Sequence, residues 1–289
     1  MMTNHDLANE YFSKFNLTVA DLLKESPELG SDGVIMLIGS VSDGLATPLS
    51  DIDLLVVGER RPDSDLVLRE SNRERAIRVL DSGQEINIEY WEKDRLRSIA
   101  EKFAKSVFAI NNPALTDEIV VFDDHELRII HYLINGIILS GSKRVFDDIF
   151  KTDDFIDYLV MFCATRFLAT AEDSIGQTME NDFVCASHHL RMAIEFVVGA
   201  EIASLGHTLS HPRWRLKLLR KSQPEIGEDV YNEYLSYLFA KPSTSKEDIE
   251  KGLQFAQNRL GTIFMRRPKL IVATVALRDR MKFVTSFGT

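Results

Sequence analysis

LIGSVSDGLATPLSDIDLLVV, residues 37–57, is the stretch that decides the fold. It sits at the junction of two apolar runs, VIMLIGS at 34–40 and DIDLLVV at 51–57, separated by a polar, glycine-containing interval. Both runs are short, β-compatible and bounded by turn residues, so they read as buried strands. Side chains alternate along a strand, which places Asp51 and Asp53 on one face and Ile52 and Leu54 on the other. Two carboxylates held together on an ordered element repel unless a cation offsets them, and Mg²⁺ is the hard cation that carboxylates and phosphate oxygens share. Gly39 permits close backbone approach, and Ser40 with the adjacent amides offers donors to phosphate oxygens. Together these features point to a site for Mg²⁺ and a triphosphate.

Working outward, residues 6–24 carry an imperfect apolar stripe at helical spacing through Leu7, Tyr11, Phe12, Phe15, Leu17, Leu22 and Leu23. This predicts an amphipathic helix before the first strand. Residues 65–80 are read as a helix, and EINIEYW at 85–91 as a further strand on which Glu85, Asn87 and Glu89 share a face. EKDRLRSIAEKFAKSVFAI then starts a helix, closing a small α/β domain over residues 1–120. The remainder, 121–289, is read as helical. HELRIIHYLINGIIL, DDFIDYLVMFCATRFLATAEDSI, FVCASHHLRMAIEFVVGAEIASLG, YNEYLSYLFA and KEDIEKGLQFAQNRLGTIFMRR all repeat apolar residues three or four apart. ALRDRMKFVTSF is a candidate closing helix, and Ser245 a candidate cap before Glu247 and Asp248. The expected class is α+β: a small mixed-sheet domain followed by a helical bundle.

A formal net charge of −10, from 44 acidic and 34 basic residues, argues against a surface that wraps long DNA or RNA. The dense basic block is HPRWRLKLLRK at 211–221, where Arg213 and Lys217 are candidates to reach the β- and γ-phosphates of a nucleotide. His188 and His189 lack a third ligand at zinc spacing. Cys163 and Cys185 lie in apolar helical stretches without metal-like spacing and read as buried free thiols. The N-terminus lacks the pattern of a secretory signal, and the apolar runs fall short of the roughly twenty residues of a membrane span. A cytoplasmic protein without a membrane partner is expected.

The apolar strand, Gly39-Ser40, the interval of about ten residues and Asp51-Ile52-Asp53 together resemble the signature of the polymerase-β-type nucleotidyltransferase superfamily. The likeness covers roughly residues 30–110, and the helices that follow loosely resemble those of small-molecule, kanamycin-type enzymes. The resemblance implies that Asp51 and Asp53 bind two Mg²⁺ ions and that Gly39 and Ser40 hold the nucleotide phosphates. Ser42, in the loop beyond, is outside the core motif and open between a direct phosphate contact and simple turn chemistry. It also implies a third acid on a neighbouring strand, as metal ligand, as base, or both. Glu89 is chosen for that role. Some relatives carry the acid where Asn87 stands, a register that would leave Glu85 or Glu89 to compensate. The implied reaction is transfer of a nucleoside monophosphate, AMP from ATP, to a hydroxyl of a small molecule with release of pyrophosphate. Modification of another protein, as in adenylylating antitoxins, and a non-catalytic nucleotide-binding scaffold are the alternatives. A homodimer is among the assemblies left open. Dinucleotide oxidoreduction is disfavoured, because no glycine-rich strand-to-helix turn of the required spacing is present.

Overall fold

The apolar runs on either side of the Gly-Ser turn form neighbouring antiparallel strands, β1 (Val34–Ile38) and β2 (Ile52–Gly58), in register from Val34↔Val57 to Ile38↔Asp53. The structure, a computed structural model, describes residues 4–24, 33–58, 67–70, 73–79, 83–112, 120–208, 211–243 and 245–273. Chain packing divides it into two compact units, Met1–Phe103 with Phe122–Lys151, and Ala104–Val121 with Thr152–Thr289. The class is α+β, a mixed sheet followed by helices.

The N-terminal segment differs from the single helix expected over 6–24. It forms α1 (Asn4–Ser13) and α2 (Val19–Lys24), broken at Asn16, whose φ of 52° is left-handed. The second helix has its own start signal: Thr18 Oγ1 donates to Asp21 Oδ2 at 2.7 Å, and the Asp21 amide donates back to Thr18 Oγ1 at 3.3 Å. That reciprocal cap competes with continuation of α1. The chain turn after β1 is a single helical turn, α3 (Gly39–Ser42).

The expected helix over 65–80 is also corrected. The described residues here form two antiparallel strands, β3 (Val67–Glu70) and β4 (Arg73–Val79), and β4 pairs antiparallel with β5 (Glu85–Glu92) from Glu74↔Tyr90 to Val79↔Glu85. Ala76 lies opposite Ile88, and both are fully buried. The ladder offered by β5 outweighs a local composition rich in the helix formers Leu, Arg and Glu.

From β5 the chain enters α4 (Lys93–Ile110), then α5 (Asp124–Asn135), which opens with a capping box between Asp123 and Glu126. The predicted helix over 125–139 ends early. Gly136 leaves helical backbone with ψ 145°, and the chain continues as β6 (Ile137–Gly141), antiparallel to β1. A Cβ on Gly136 would lie 2.7 Å from the Tyr132 carbonyl oxygen, a backbone atom that cannot give way, so this corner requires glycine. Because β6 belongs to the sheet, residues 122–151, including the short α6 (Arg144–Asp147), pack with it rather than with the later helices.

The finished sheet has the order β3-β4-β5-β2-β1-β6, parallel only at β2/β5. Ile35, Leu37, Ile52, Leu54, Val56, Ile86 and Ile88 line one face and pack with Tyr11, Phe12 and Leu22. Burial of each such side chain contributes roughly 1.5–3 kcal/mol. The opposite face carries Asp53, Leu55, Asn87 and Glu89.

In the second unit, α7 (Thr152–Met179) and α8 (Phe183–Ser204) form an antiparallel hairpin whose turn uses Asn181 at φ 62° and an Asp182 cap on the Cys185 amide. After a 3-10 turn at Pro212–Trp214 come α9 (Arg215–Lys221), α10 (Gln223–Ile226), α11 (Glu228–Leu238), α12 (Lys246–Arg266) and α13 (Lys269–Ala273). Ser245 caps α12 as expected, accepting from the Asp248 amide. Glu201 of α8 is fully buried, yet it accepts from Tyr234 at 2.9 Å, from Arg259 at 2.8 Å and from Arg266. Paired in this way, a buried charge is tolerated. The candidate helix ALRDRMKFVTSF lies outside the described residues. Among the described residues, no helix is long and apolar enough to cross a membrane.

Candidate functional site

Strand alternation and register assemble the site on the β2/β5 face. Asp53 lies between Ile38 of β1 and Asn87 of β5, and Leu55 lies beside Glu89. Asp51 stands just before β2, where its Oδ2 accepts from Asn87 Nδ2. Asp51, Asp53 and Glu89 are half-buried, whereas Asn87 is 3% exposed, so the amide and not a carboxylate occupies the protected position beside Asp53. Glu89 is one strand period further on, and its Oε1 accepts from Trp91 Nε1 at 2.7 Å. Glu85 is exposed at the start of β5.

Gly39 brings the turn against Asp53. Its φ is +72°, and a Cβ there would fall 2.5 Å from Asp53 Oδ2 and 3.3 Å from Asp53 Cβ. Two separate requirements, left-handed backbone and space for a carboxylate, therefore coincide at this residue. Ser40 and Ser42 are buried in the turn, and Ser42 Oγ donates to the Gly39 carbonyl at 3.0 Å. The loop leading to Asp51 is internally braced. The Thr47 amide donates to Ser50 Oγ at 2.9 Å, while Tyr11 donates its hydroxyl to the Ser50 carbonyl. Burial pushes the Tyr11 phenol up, and the charges of Asp51 and Asp53 add to that shift.

Helix α5 contributes residues that the sequence did not mark. His131 is 2% exposed and its Nε2 lies 3.0 Å from Asp43 Oδ1, while Asn135 Nδ2 lies 3.3 Å from its Nδ1. This ties the loop after the Gly39 turn to α5. Tyr132 is held well above the usual phenol range, first by burial, then by the charges of Glu89 and Asp53, with Arg128 opposing. Tyr132 and Arg128 thus share the electrostatic neighbourhood of Glu89 and Asp53. Arg128 Nε is buried without a hydrogen-bond partner among the described residues. The sequence signal for these residues is faint: i, i+3 and i+4 spacing of Arg128, His131 and Tyr132 on a helix whose position over the sheet depends on β6.

Arg213 and Lys217 belong to the second unit. Arg213 lies in the 3-10 turn with Cζ 5.2 Å from the Trp214 ring centroid, and Lys217 on α9 places Nζ 5.5 Å from the same ring. Cys163 is buried, but Cys185 is exposed near the start of α8, contrary to the expectation of two buried thiols. Its position in the first helical turn faces solvent despite the apolar residues around it.

The donor set bears directly on a metal. Among the described residues no group of three or more His, Cys, Asp or Glu side chains is arranged to hold one. What converges is Asp51, Asp53 and the Asn87 amide. Mg²⁺ commonly takes one or two carboxylates, keeps several waters and completes its shell with substrate phosphates, so this set fits an ion that arrives with a nucleotide.

Over residues 19–114, which span α2, β1 to β5 and α4, the chain matches the family model of a nucleotidyltransferase domain. Among solved structures it is similar to a nucleotidyltransferase-like protein from Exiguobacterium sibiricum 255-15, at 14% identity and a TM-score of 0.46, over 87% of this chain and 75% of that one. No curated protein matches the chain.

Proposed function

We propose that the first unit is a magnesium-dependent nucleotidyltransferase site that transfers a nucleoside monophosphate, AMP from ATP, to a hydroxyl of a small molecule and releases pyrophosphate. The observation that carries this reading is the juxtaposition of Asp53 with the Gly39 turn, which puts a carboxylate against a backbone corner with no room for a side chain. Asp51 and Asp53 would hold Mg²⁺ together with the triphosphate, and the ion would supply charge neutralisation and a lowered pKa for the acceptor hydroxyl. Asn87 orients Asp51 through its Nδ2 donation, and Gly39, Ser40 and Ser42 shape the turn beside the phosphates. The acceptor oxygen attacks the α-phosphorus, the bond to the bridging oxygen of pyrophosphate breaks, and the hydroxyl proton passes to a carboxylate, for which Glu89 is our choice. Two free thiols suit a reducing, cytoplasmic setting.

One observation favours a second reading. Asn87 stands in register with Asp53 where a third acid is expected, so a domain that binds nucleotide with little turnover is the alternative.

The test is incubation of purified protein with Mg²⁺ and each ribonucleoside triphosphate, with and without a metabolite extract, following pyrophosphate release and new small-molecule masses. Extract-dependent release with a mass gain of one nucleoside monophosphate, lost in Asp51→Asn and Asp53→Asn, is the expected result. Magnesium-dependent binding without turnover in any extract selects the second reading. Absence of both binding and turnover refutes the proposal.

A further inference from the structure

Within the helical unit, a cavity of about 360 Å³ opens between the start of α8, the end of α11, the turn at 240–243 and the start of α12. It falls in the size range of small-molecule sites and exceeds what an inorganic anion needs. Arg191, Lys241 and Lys251 line it together with a single carboxylate, Asp248, in a chain whose net charge is −10. Three cations against one anion leave two positive charges facing the same space.

The carboxylate is already committed. Asp248 Oδ2 accepts from Ser243 Oγ at 3.1 Å, and its position in the first turn of α12 suits the helix dipole. Lys241 and Lys251 make no ion pair among the described residues. Arg191 donates through one terminal nitrogen to the Ala240 carbonyl at 2.8 Å, which fixes the guanidinium at the cavity wall. Its Nε is buried with no hydrogen-bond partner among the described residues.

We infer that this cavity binds a small sugar or polyol phosphate. A phosphate monoester carries about −1.5 to −2 charge at pH 7, which matches the excess of cations in the lining. Ser187, Ser236 and Tyr237 supply hydroxyls for a polyol body, and Leu190 and Pro242 supply apolar surface for its carbon skeleton. The site uses none of the residues placed in nucleotidyl transfer, and it stands whether or not that reaction occurs.

Isothermal titration of the full chain with ribose 5-phosphate, and with ribose as the uncharged control, tests the inference. Saturable binding of ribose 5-phosphate is expected, with none for ribose. The double variant Lys241→Ala/Lys251→Ala should weaken affinity by about tenfold or more while leaving the melting temperature unchanged, because both lysines are exposed. Lys251→Glu alone should weaken it in the same direction. No saturable binding to the wild-type chain, equal affinity for ribose, or unchanged affinity in the double variant would each overturn the inference.

Discussion

Replacing Gly39 with alanine separates the structural from the functional meaning of the turn. At φ +72° an alanine pays for left-handed backbone with about 1–2 kcal/mol. Its Cβ would also fall 2.5 Å from Asp53 Oδ2, an atom at the free end of a side chain that can rotate away. The added stability loss is therefore small, but Asp53 is moved from the position that the turn enforces. Gly83 is the internal control, because it has a φ of +79° and nothing within 4 Å of a built Cβ. Urea unfolding should show Gly39→Ala and Gly83→Ala losing similar stability, and thermal melts should fall by about 2–4 °C per kcal/mol. Magnesium-dependent ATP binding, followed calorimetrically, should separate the two variants. Gly39→Ala is expected to lose about tenfold or more in affinity, Gly83→Ala almost none. Equal ATP affinity in the two variants would refute the claim that the Gly39 turn positions Asp53 for a nucleotide.

Asn87→Asp should replace the donor to Asp51 with a third carboxylate; stability without divalent ions is expected to fall by about 1–3 kcal/mol and to recover on adding Mg²⁺, and a loss indifferent to Mg²⁺ would count against the metal site. Glu201→Gln should cost about 3–5 kcal/mol in urea unfolding, since Arg259 and Arg266 would keep buried charge without its partner, and a loss below about 1 kcal/mol would show that water replaces it. Burial, and then Lys221, lower the pKa of His207 from 6.5, so the unfolded chain takes up the proton first as pH falls. Stability should therefore fall as pH drops from about 6.5 through the folded value, and His207→Gln should flatten that part of the profile. A thiol reagent should label Cys185 in the native protein and Cys163 only after unfolding, because Cys163 is buried and its thiol is pushed up to about 11 by that burial.

The parts of the fold that were legible are those where local pattern and tertiary environment agree. VIMLI and DIDLLVV alternate or run apolar because both faces of β1 and β2 are covered, and α7, α8 and α12 repeat apolar residues at helical spacing because they pack on one another. Segment 73–79 has the local composition of a helix, but its state is set by pairing with β5, a contact that local propensity does not carry. In Ile137–Gly141 the run IIL fits either period over three residues; the geometric stop at Gly136 and pairing to β1 decide for a strand. The break at Asn16 was readable in principle, since Thr18 and Asp21 stand at capping spacing.

The candidate site was legible on β2, and its completion on β5 was not. Glu85, Asn87 and Glu89 share one face whatever the register, and successive members stand about 6.6 Å apart along a strand. Sequence alternation chooses the face, but only the parallel pairing of β2 with β5 chooses which of the three meets Asp53. That choice has an electrostatic consequence. Two carboxylates with an amide between them present less negative charge than three acids, and the amide donates a hydrogen bond where an acid would accept a metal. A site built in this way has less reason to hold Mg²⁺ alone and more to hold it with a triphosphate, whose oxygens supply the missing ligands. Metal and nucleotide should accordingly bind with positive coupling, each raising the affinity of the other by the same factor.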